Sequence, residues 1–251
     1  MNGVLQNTYQ HLSIVVPLDP IIFLKTLVSV SKPLQSDFAG NWQKVSLQAE
    51  RFHANFLHAC AYNDLKIFEI LFEEISTDYD IQLANSTPVR YAQLFADKLN
   101  HRMYSNRGTS GIDGSISTSA GAALATSRPT IVISGDLGFF YDSNALWNNN
   151  LPVNLKIIVI NNGGGGIFRF LPGPDTTGLL ESHFEARHQL RTDGLAKTFG
   201  LSYFSADSEE SLRKILPSFL LPDESASILE IISPAEESAT ALRAYFSSMN
   251  S

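Results

Sequence analysis

The stretch LKIIVINNGGGGIF, residues 155–168, indicates how this chain folds and where its function lies. An apolar run is followed by Asn161 and Asn162 and then by four consecutive glycines. A short apolar run of this kind is typical of a strand that is buried on both faces of a parallel sheet. The most flexible backbone of the stretch therefore comes just where a core strand ends, and glycine is used where side chains would obstruct a close approach.

The sequence around this stretch alternates between two periodicities. From residue 81 onward, apolar runs predict strands at 81–86, 103–106, 130–136, 155–162, 202–206 and 227–233. Between them, helical patterns are found at 87–100, 115–127, 140–149, 193–200 and 208–220. Near-continuous apolar strands separated by helices predict an α/β fold, in which a parallel sheet carries helices on both faces.

The first 80 residues have a different character. They predict a strand at 11–16, a helix at 19–31, a linker at 31–41 and helices at 42–62 and 63–76. Asp19 and Asn63 are the expected N-caps, and Pro20 occupies a first helical position, where proline is favoured. We expect a domain boundary near residue 40. The N-terminal piece, about 35 residues long, is too short to fold alone. Residues 1–40 would be the remnant of a preceding domain with its linker, and 41–251 the main domain.

The composition argues against several classes of partner. The net charge is −7 and the basic residues are not clustered, so nucleic acid or an anionic membrane is not the expected main partner. No window approaches the roughly 18 apolar residues that a membrane span needs. The first residues lack the basic and apolar regions of a signal peptide. We therefore expect a cytoplasmic protein.

Two predicted strand ends carry polar side chains that suit a metal and an anion. Asp136 follows the apolar run TIVISG, and Asn162 follows the next predicted strand, 26 residues later. One helix and one strand fill that spacing, so both side chains are expected at the carboxyl edge of the sheet, where α/β proteins bind ligands. Mg²⁺ prefers such oxygen ligands and completes its shell with phosphates. The alternative is a plain glycine-rich turn with Asp136 as a helix cap, but the pair at this spacing favours a diphosphate–metal site.

Several motifs resemble those of a known family. The pairs Gly135–Asp136 and Asn161–Asn162 match the signature of thiamine diphosphate enzymes. Five longer stretches resemble the menaquinone-pathway family of 2-succinyl-5-enolpyruvyl-6-hydroxy-3-cyclohexene-1-carboxylate synthases: NSTPVR (85–90), SNRGTSGIDG (105–114), SGDLGFFYDSNAL (134–146), NNGGGGIFRFLP (161–172) and FEARHQL (184–190). The resemblance runs from about residue 80 to the C-terminus and fades after residue 200. Residues 1–80 would then be the end of the family's central domain and the helices that lead out of it.

The resemblance implies a reaction and its cofactors. The family is a group of transferases, carboligases that decarboxylate 2-oxoglutarate and add the resulting succinyl semialdehyde carbanion to isochorismate in menaquinone biosynthesis. Thiamine diphosphate and Mg²⁺ or Mn²⁺ are the implied cofactors. Because the cofactor of such enzymes lies between two domains, usually from different subunits, a homodimer or tetramer is implied as well. The pyrimidine-binding domain of that pair matches no part of this chain, so we expect a C-terminal fragment that is inactive alone.

The resemblance also assigns the cofactor site residue by residue. Asp136, the side-chain oxygen of Asn162 and the backbone carbonyl of Gly164 would bind the metal. The diphosphate would accept hydrogen bonds from the backbone amides of Gly135, Leu137 and Gly138.

Three apolar residues would act on the reacting part of the cofactor and on the substrate. Ile112 would support the cofactor and bend it, although a buried isoleucine in a turn is the ordinary interpretation of such a residue. Ile167 and Phe168 would wall the substrate pocket, and by periodicity alone they are the first core residues of a helix.

Both implied substrates carry carboxylates, so cations are needed to bind them. Arg90 lies in the first turn of a predicted helix, and Ser86 precedes that helix. Arg107 follows a short predicted strand at the same edge of the sheet. The family motifs imply that Arg90 and Arg107 bind substrate carboxylates and that Ser86 donates a hydrogen bond to one of them.

Three other functions remain open at this point. Another thiamine diphosphate-dependent 2-oxoacid decarboxylase would share the cofactor site but depend far less on Arg107. A nucleotide-binding Rossmann fold is disfavoured because no GxGxxG motif lies between a predicted strand and a helix. A non-catalytic fragment that kept the fold would keep the same metal-binding motif.

Overall fold

The computed structural model describes residues 7–32, 34–95, 100–148, 150–171 and 173–249. Its centre is a six-stranded sheet with the strand order β2-β1-β3-β4-β6-β5, in which every neighbouring pair is parallel. The strands are β1 Asp80–Leu83, β2 Arg102–Tyr104, β3 Thr130–Gly135, β4 Leu155–Asn161, β5 Ser202–Ala206 and β6 Ser227–Ile232. The predicted parallel sheet is confirmed.

Within the compact unit 49–251, helices cover both faces of the sheet. The helices are α1 Pro20–Val30, α2 Phe38–Ala59, α3 Asp64–Glu74, α4 Thr87–Gln93, α5 Ser115–Leu124, α6 Asp136–Tyr141, α7 Asp193–Phe199, α8 Glu209–Leu220 and α9 Ala235–Met249. In β3, Ile131 and Ile133 join a core with α3, α4, α8 and α9, whereas Val132 joins a second core with α5, α6 and α7. The alternation of strand side chains thus buries both faces, as a parallel sheet requires.

Helix ends follow from local sequence. The Asn63 side chain accepts hydrogen bonds from the amides of Leu65 (2.8 Å) and Lys66 (3.3 Å), which caps α3 as predicted. Asp19 caps α1 in the same way. Gly200 ends α7 with a left-handed backbone, φ +69°, a conformation that glycine adopts without strain.

The prediction of a strand at 11–16 is wrong. Among the described residues 7–32 and 34–48 the structure has no strand, and residues 11–16 are exposed. A strand needs a neighbour to accept and donate its backbone hydrogen bonds, and this part of the chain supplies none. An isolated apolar run is therefore not sufficient to make one.

Two predicted helices have different bounds in the structure. The helix predicted at 140–149 is replaced by α6 and a separate 3₁₀ helix, Ser143–Trp147. Asp142 lies between these two helices, and its carboxylate accepts hydrogen bonds from the amide and hydroxyl of Ser117, at 2.7 and 2.6 Å. Helix α4 ends at Gln93, and residues 96–99 of the predicted helix lie outside the described residues.

Helix α2 begins at Phe38, inside the predicted linker at 31–41, where the Ser36 hydroxyl accepts a hydrogen bond from the Phe38 amide at 3.1 Å. Helix α9 was not predicted. The chain divides into two compact units, 1–48 and 49–251, and the division falls within α2. The boundary near residue 40 stays a prediction. Among the described helices, none is long and apolar enough to span a bilayer.

The sheet order determines where a site can form. Strands β1, β3 and β4 are adjacent, and β1 and β3 lie where the chain reverses its direction across the sheet. Ligands of open α/β sheets bind beyond the carboxyl ends of strands at such a point. A site is therefore expected among the segments that follow these three strands.

Candidate cofactor site

A cavity of about 130 Å³ lies beyond the carboxyl ends of β1, β3 and β4. Its lining comes from three segments that follow these strands and from the turn before α5: Asn85, Ser86, Thr87, Ile112, Gly135, Asp136, Leu137, Gly138, Asn162, Gly164, Gly165, Gly166, Ile167 and Phe168. The sequence placed Asp136 and Asn162 side by side, and the structure brings them to this one cavity because β3 and β4 are paired up to Gly135 and Ile160.

Asp136 is the first residue of α6 and is 3% exposed. Its carboxylate accepts hydrogen bonds from the amides of Leu137 (2.7 Å) and Gly164 (3.0 Å). Burial raises the pKa of Asp136, and the Leu137 amide and the neighbouring His188 act in the opposite direction. The carboxylate thus joins the end of β3 to the loop that follows β4.

Asn162 presents the feature that best fits a metal. Its side-chain oxygen Oδ1 is buried and accepts no hydrogen bond from any described residue. A buried polar atom without a partner is costly and calls for a ligand. Together with the Asp136 carboxylate and a backbone carbonyl, an amide oxygen forms the hard-oxygen donor set that Mg²⁺ binds. The residues present therefore fit the implied cation.

The structure shows a second reason for glycine after β4, which the sequence did not reveal. Gly163 and Gly164 have φ values of +75° and +153°, which L side chains rarely adopt. A Cβ on Gly163 would lie 3.2 Å from the His188 carbonyl, and one on Gly164 would lie 3.4 Å from the Arg187 backbone. The glycines therefore let the loop pack against residues 186–188. We call residues 162–166 the glycine loop.

The amides predicted to bind a diphosphate lie at the start of α6. Gly135, Leu137 and Gly138 all line the cavity. The Leu137 amide already donates to Asp136 Oδ1, so it must exchange that partner to bind a phosphate oxygen. A Cβ on Gly138 would lie 3.0 Å from Ser134 Oγ and 3.3 Å from the Ile112 carbonyl, so this position has no room for a side chain.

The three apolar candidates lie on the same cavity. Ile112, Ile167 and Phe168 are all part of its lining. Ile167 and Phe168 belong to a 3₁₀ helix, Gly166–Arg169, and not to the α-helix that periodicity favoured. Phe168 packs on Phe184 with 5.8 Å between ring centroids. These residues supply the large apolar side chains of the cavity lining, with Leu137.

The three substrate candidates are separated by the structure. Ser86 lines the cavity and has a positive φ of 75°, an unusual conformation for a serine. Arg107 lies outside the lining, but its Nη1 donates to Asn85 Oδ1 at 2.8 Å, and Asn85 does line the cavity. Arg90 is exposed and is not among the lining residues. The structure therefore connects Ser86 and Arg107 to the site but not Arg90.

Sequence reasoning missed two residues of this site. Asn85 is 2% exposed, and its Nδ2 donates to the carbonyls of Asn106 (2.7 Å) and Gly111 (2.5 Å). It holds together the segments after β1 and β2, and its place after a predicted strand was the available signal. His188 lies with Nε2 3.4 Å from Asp136 Oδ2. That contact joins residues 52 positions apart, and no spacing rule predicts it.

A larger cavity of about 440 Å³ lies on the other side of the glycine loop. Its two arginines are already paired: Arg169 Nε lies 2.6 Å from Glu185 Oε1, and Arg187 Nη2 lies 2.7 Å from Glu181 Oε1. Asp136 lines the smaller cavity and not the larger one, whereas Asn162 lines both. The smaller cavity is therefore the candidate site.

A second buried carboxylate lies near the site and predicts a pH dependence. The pKa of Asp64 is raised to about 6, mainly by burial; hydrogen bonds with Ser233 and Ser238 oppose the shift, and the charge of Asp136 adds to it. Since the unfolded value is about 3.9, the folded state holds this proton more tightly. The resulting stability is fully present below the unfolded pKa and is lost as the pH rises to about 6, by up to roughly 3 kcal/mol.

We expect Asp64→Asn to remove this part of the pH dependence. Urea denaturation from pH 4 to 7 measures it: the free energy of unfolding of the variant should fall less over that range than that of the wild type. Parallel curves for the two proteins would contradict the assignment.

The chain is similar to a protein-family model and to several named proteins. Residues 86–231 match the family model described as thiamine pyrophosphate enzyme, C-terminal TPP binding domain. Proteins named 2-succinyl-5-enolpyruvyl-6-hydroxy-3-cyclohexene-1-carboxylate synthase are similar to the chain. That of Flavobacterium johnsoniae is 39% identical over 240 residues, which are 96% of this chain and 43% of the relative. That of Porphyromonas gingivalis is 43% identical over 214 residues, 83% of this chain and 36% of the relative.

The chain therefore spans about two fifths of the length of the curated relatives it matches. Among solved structures, a protein of Mycobacterium smegmatis provisionally named a thiamin diphosphate-dependent enzyme is similar, with a TM-score of 0.51 and 18% identity. That similarity covers 69% of this chain and 32% of the solved one, and it supports the fold alone.

Proposed function

We propose that this chain, which belongs to the family of thiamine pyrophosphate enzymes through their C-terminal TPP binding domain, is the diphosphate-binding part of a 2-succinyl-5-enolpyruvyl-6-hydroxy-3-cyclohexene-1-carboxylate synthase. The names of the relatives support the synthase. One observation carries the cofactor assignment: Asp136 and the unpartnered Oδ1 of Asn162 share one cavity at the ends of adjacent parallel strands.

In this proposal each group of the cavity has a role. Asp136, Asn162 Oδ1 and the carbonyl of Gly164 hold Mg²⁺ or Mn²⁺, and the amides of Gly135, Leu137 and Gly138 bind the diphosphate. When bound, thiamine diphosphate supplies the carbanion-stabilising chemistry. The four glycines of the glycine loop carry no side chains that could obstruct the metal. The backbone of the loop packs against residues 186–188.

The apolar side chains shape the reacting end of the site. Ile112 supports the cofactor from the turn before α5, where its carbonyl lies close to Gly138. Ile167 and Phe168 wall the space for substrate and exclude water from it. A dry cavity strengthens the electrostatic contacts of the Asp136 carboxylate.

The substrates of the proposed reaction are 2-oxoglutarate and isochorismate. The Ser86 hydroxyl is placed to donate a hydrogen bond to a substrate carboxylate. Arg107 supplies the cation, and Asn85 holds its guanidinium at the edge of the site. Arg90 of α4 binds a substrate carboxylate in this proposal, and it does so from outside the described cavity lining.

The proposal extends to the assembly. A pyrimidine-binding domain completes the cofactor site, and a homodimer or tetramer brings the two domain types together in the cytoplasm. Replacement of Arg107 distinguishes this proposal from a related decarboxylase. Loss of the cation should impair an enzyme that uses a dicarboxylate far more than one that uses pyruvate.

Titration calorimetry tests the cofactor assignment. We expect the purified chain to bind thiamine diphosphate in the presence of Mg²⁺ and to bind it much more weakly with a chelator. Thiamine without its diphosphate is the control and should not bind measurably, since the proposed contacts are to the metal and the diphosphate. Equal binding of thiamine and thiamine diphosphate, or no binding with Mg²⁺, would contradict the proposal.

A further inference from the structure

A carboxylate is buried in the sheet one strand away from the glycine loop. Glu230 lies in the middle of β6 and is 0% exposed. Its neighbour across the ladder is Val159 of β4, and Ile228, two residues earlier on the same face, belongs to the apolar core. Glu230 therefore occupies a position where the pattern of the strand calls for an apolar side chain.

Four groups among the described residues donate hydrogen bonds to the Glu230 carboxylate. Oε1 accepts from Asn161 Nδ2 at 2.7 Å and from the Thr192 amide at 3.2 Å. Oε2 accepts from Arg191 Nε at 2.9 Å and from the Tyr203 hydroxyl at 2.6 Å. A carboxylate can accept all four, whereas glutamine has a single acceptor oxygen. The surroundings are thus built for a carboxylate.

Asn161 connects Glu230 to the glycine loop. Its Nδ2 donates to Glu230 and also to the Leu190 carbonyl at 2.9 Å. These two contacts fix the amide so that its Oδ1 accepts from the Gly163 amide at 3.1 Å. Gly163 lies between Asn162 and Gly164, so this hydrogen bond fixes the turn that presents both.

We propose that Glu230 is a positioning residue, which acts through Asn161 to hold Asn162 and Gly164 in the orientation that a cation needs. The inference rests on the proposed function for the identity of the ligand but not for the contact itself. A buried ion pair is often no more stabilising than apolar side chains of the same volume. The role of Glu230 is therefore to fix a geometry, as partners of metal ligands do.

Exchanging the two side chains tests the proposal. Asn161→Asp places a second carboxylate against Glu230, and Asn161→Ala removes the acceptor for the Gly163 amide. In the double variant Asn161→Asp with Glu230→Gln, the new amide donates to the new carboxylate, which still accepts from Gly163. Glu73→Gln is the matched control, since Glu73 pairs with Arg213 at the exposed surface.

Two measurements separate positioning from general stability. We expect amide hydrogen exchange at Gly163 to be roughly tenfold faster in both single variants than in the wild type, while the amide of Gly121 in α5 is unchanged. We expect Mg²⁺-dependent affinity for thiamine diphosphate to fall by about 10- to 100-fold in the single variants. The double variant should recover about half of that loss or more on a logarithmic scale, as coupled residues do. Glu73→Gln should change neither quantity.

Several outcomes would overturn the proposal. One is a Gly163 amide that exchanges as fast in the wild type as in Asn161→Ala. Another is a double variant that is no better than Asn161→Asp. If the wild type does not bind thiamine diphosphate, the proposed function fails, but the exchange rates of Gly163 still decide whether Glu230 and Asn161 position the loop.

Discussion

Asp136→Asn should lower the Mg²⁺-dependent affinity for thiamine diphosphate by at least about 100-fold, the upper end of what residues around a metal contribute. Asp136 is the acidic side chain of the described cavity lining and is 3% exposed. Asparagine keeps its size but removes the charge that a cation needs. It also has one acceptor oxygen, whereas the carboxylate accepts from both Leu137 and Gly164. The variant therefore replaces a charged ligand by a neutral one and loosens the loop as well.

Asp142→Asn is the matched control for this experiment. Asp142 follows α6 and is 4% exposed, but it bonds to Ser117 and does not line the cavity. Its replacement should lower stability and leave the affinity nearly unchanged. Calorimetry measures the affinity, and thermal denaturation confirms that each variant is folded. Equal affinities for the Asp136 and Asp142 variants would remove Asp136 from the metal site.

Phe68→Ala should lower the free energy of unfolding by about 3–5 kcal/mol, the range for truncating a buried aromatic residue. Phe68 in α3 is 1% exposed and stacks on Tyr91 of α4 with centroids 5.3 Å apart and an angle of 19°. It also lies 6.0 Å from the ring of Phe72. The truncation leaves a void between α3 and α4 that the packed helices cannot close, and a void forfeits the contacts of every side chain around it.

Urea denaturation followed by circular dichroism measures this loss. Leu124→Ala is the control, because Leu124 is 53% exposed at the end of α5, and its truncation should change stability by less than about 0.5 kcal/mol. A loss for Phe68→Ala no greater than that for Leu124→Ala would show that this part of the core does not contribute to the folded state as its burial indicates.

The centre of the sheet could be predicted because its signals are local. The runs at 131–133 and 157–160 are apolar throughout, as burial on both faces requires, and the spacing of Asp136 and Asn162 fits one crossover. Adjacent parallel strands then bring the two residues together, and β3 and β4 are adjacent. The segment 11–16 has the same local signal, but it lacks a neighbouring strand, and sequence alone does not reveal a missing neighbour.

The parts that could not be predicted depend on contacts between distant residues. Glu230 is an acidic residue inside an apolar run, and only the register, which pairs it with Val159 of β4, brings its side chain within reach of Asn161 two residues further along that strand. The contact of His188 with Asp136 depends on how residues 186–188 pack on the glycine loop. Arg90 was assigned to substrate by the family motif, and the structure leaves it outside the cavity lining because α4 turns it towards solvent.

The strand order has a consequence for the sequence of events during synthesis. β4 has β3 on one side and β6 on the other, and β6 is the last strand to be made. Asn161 and Glu230 are 69 residues apart in the chain, so the ribosome must add that segment before the Asn161 side chain can donate to Glu230. Closing so long a segment is slow compared with forming local helices. A nascent chain thus contains Asp136 and Asn162 before Glu230 is available to support the glycine loop.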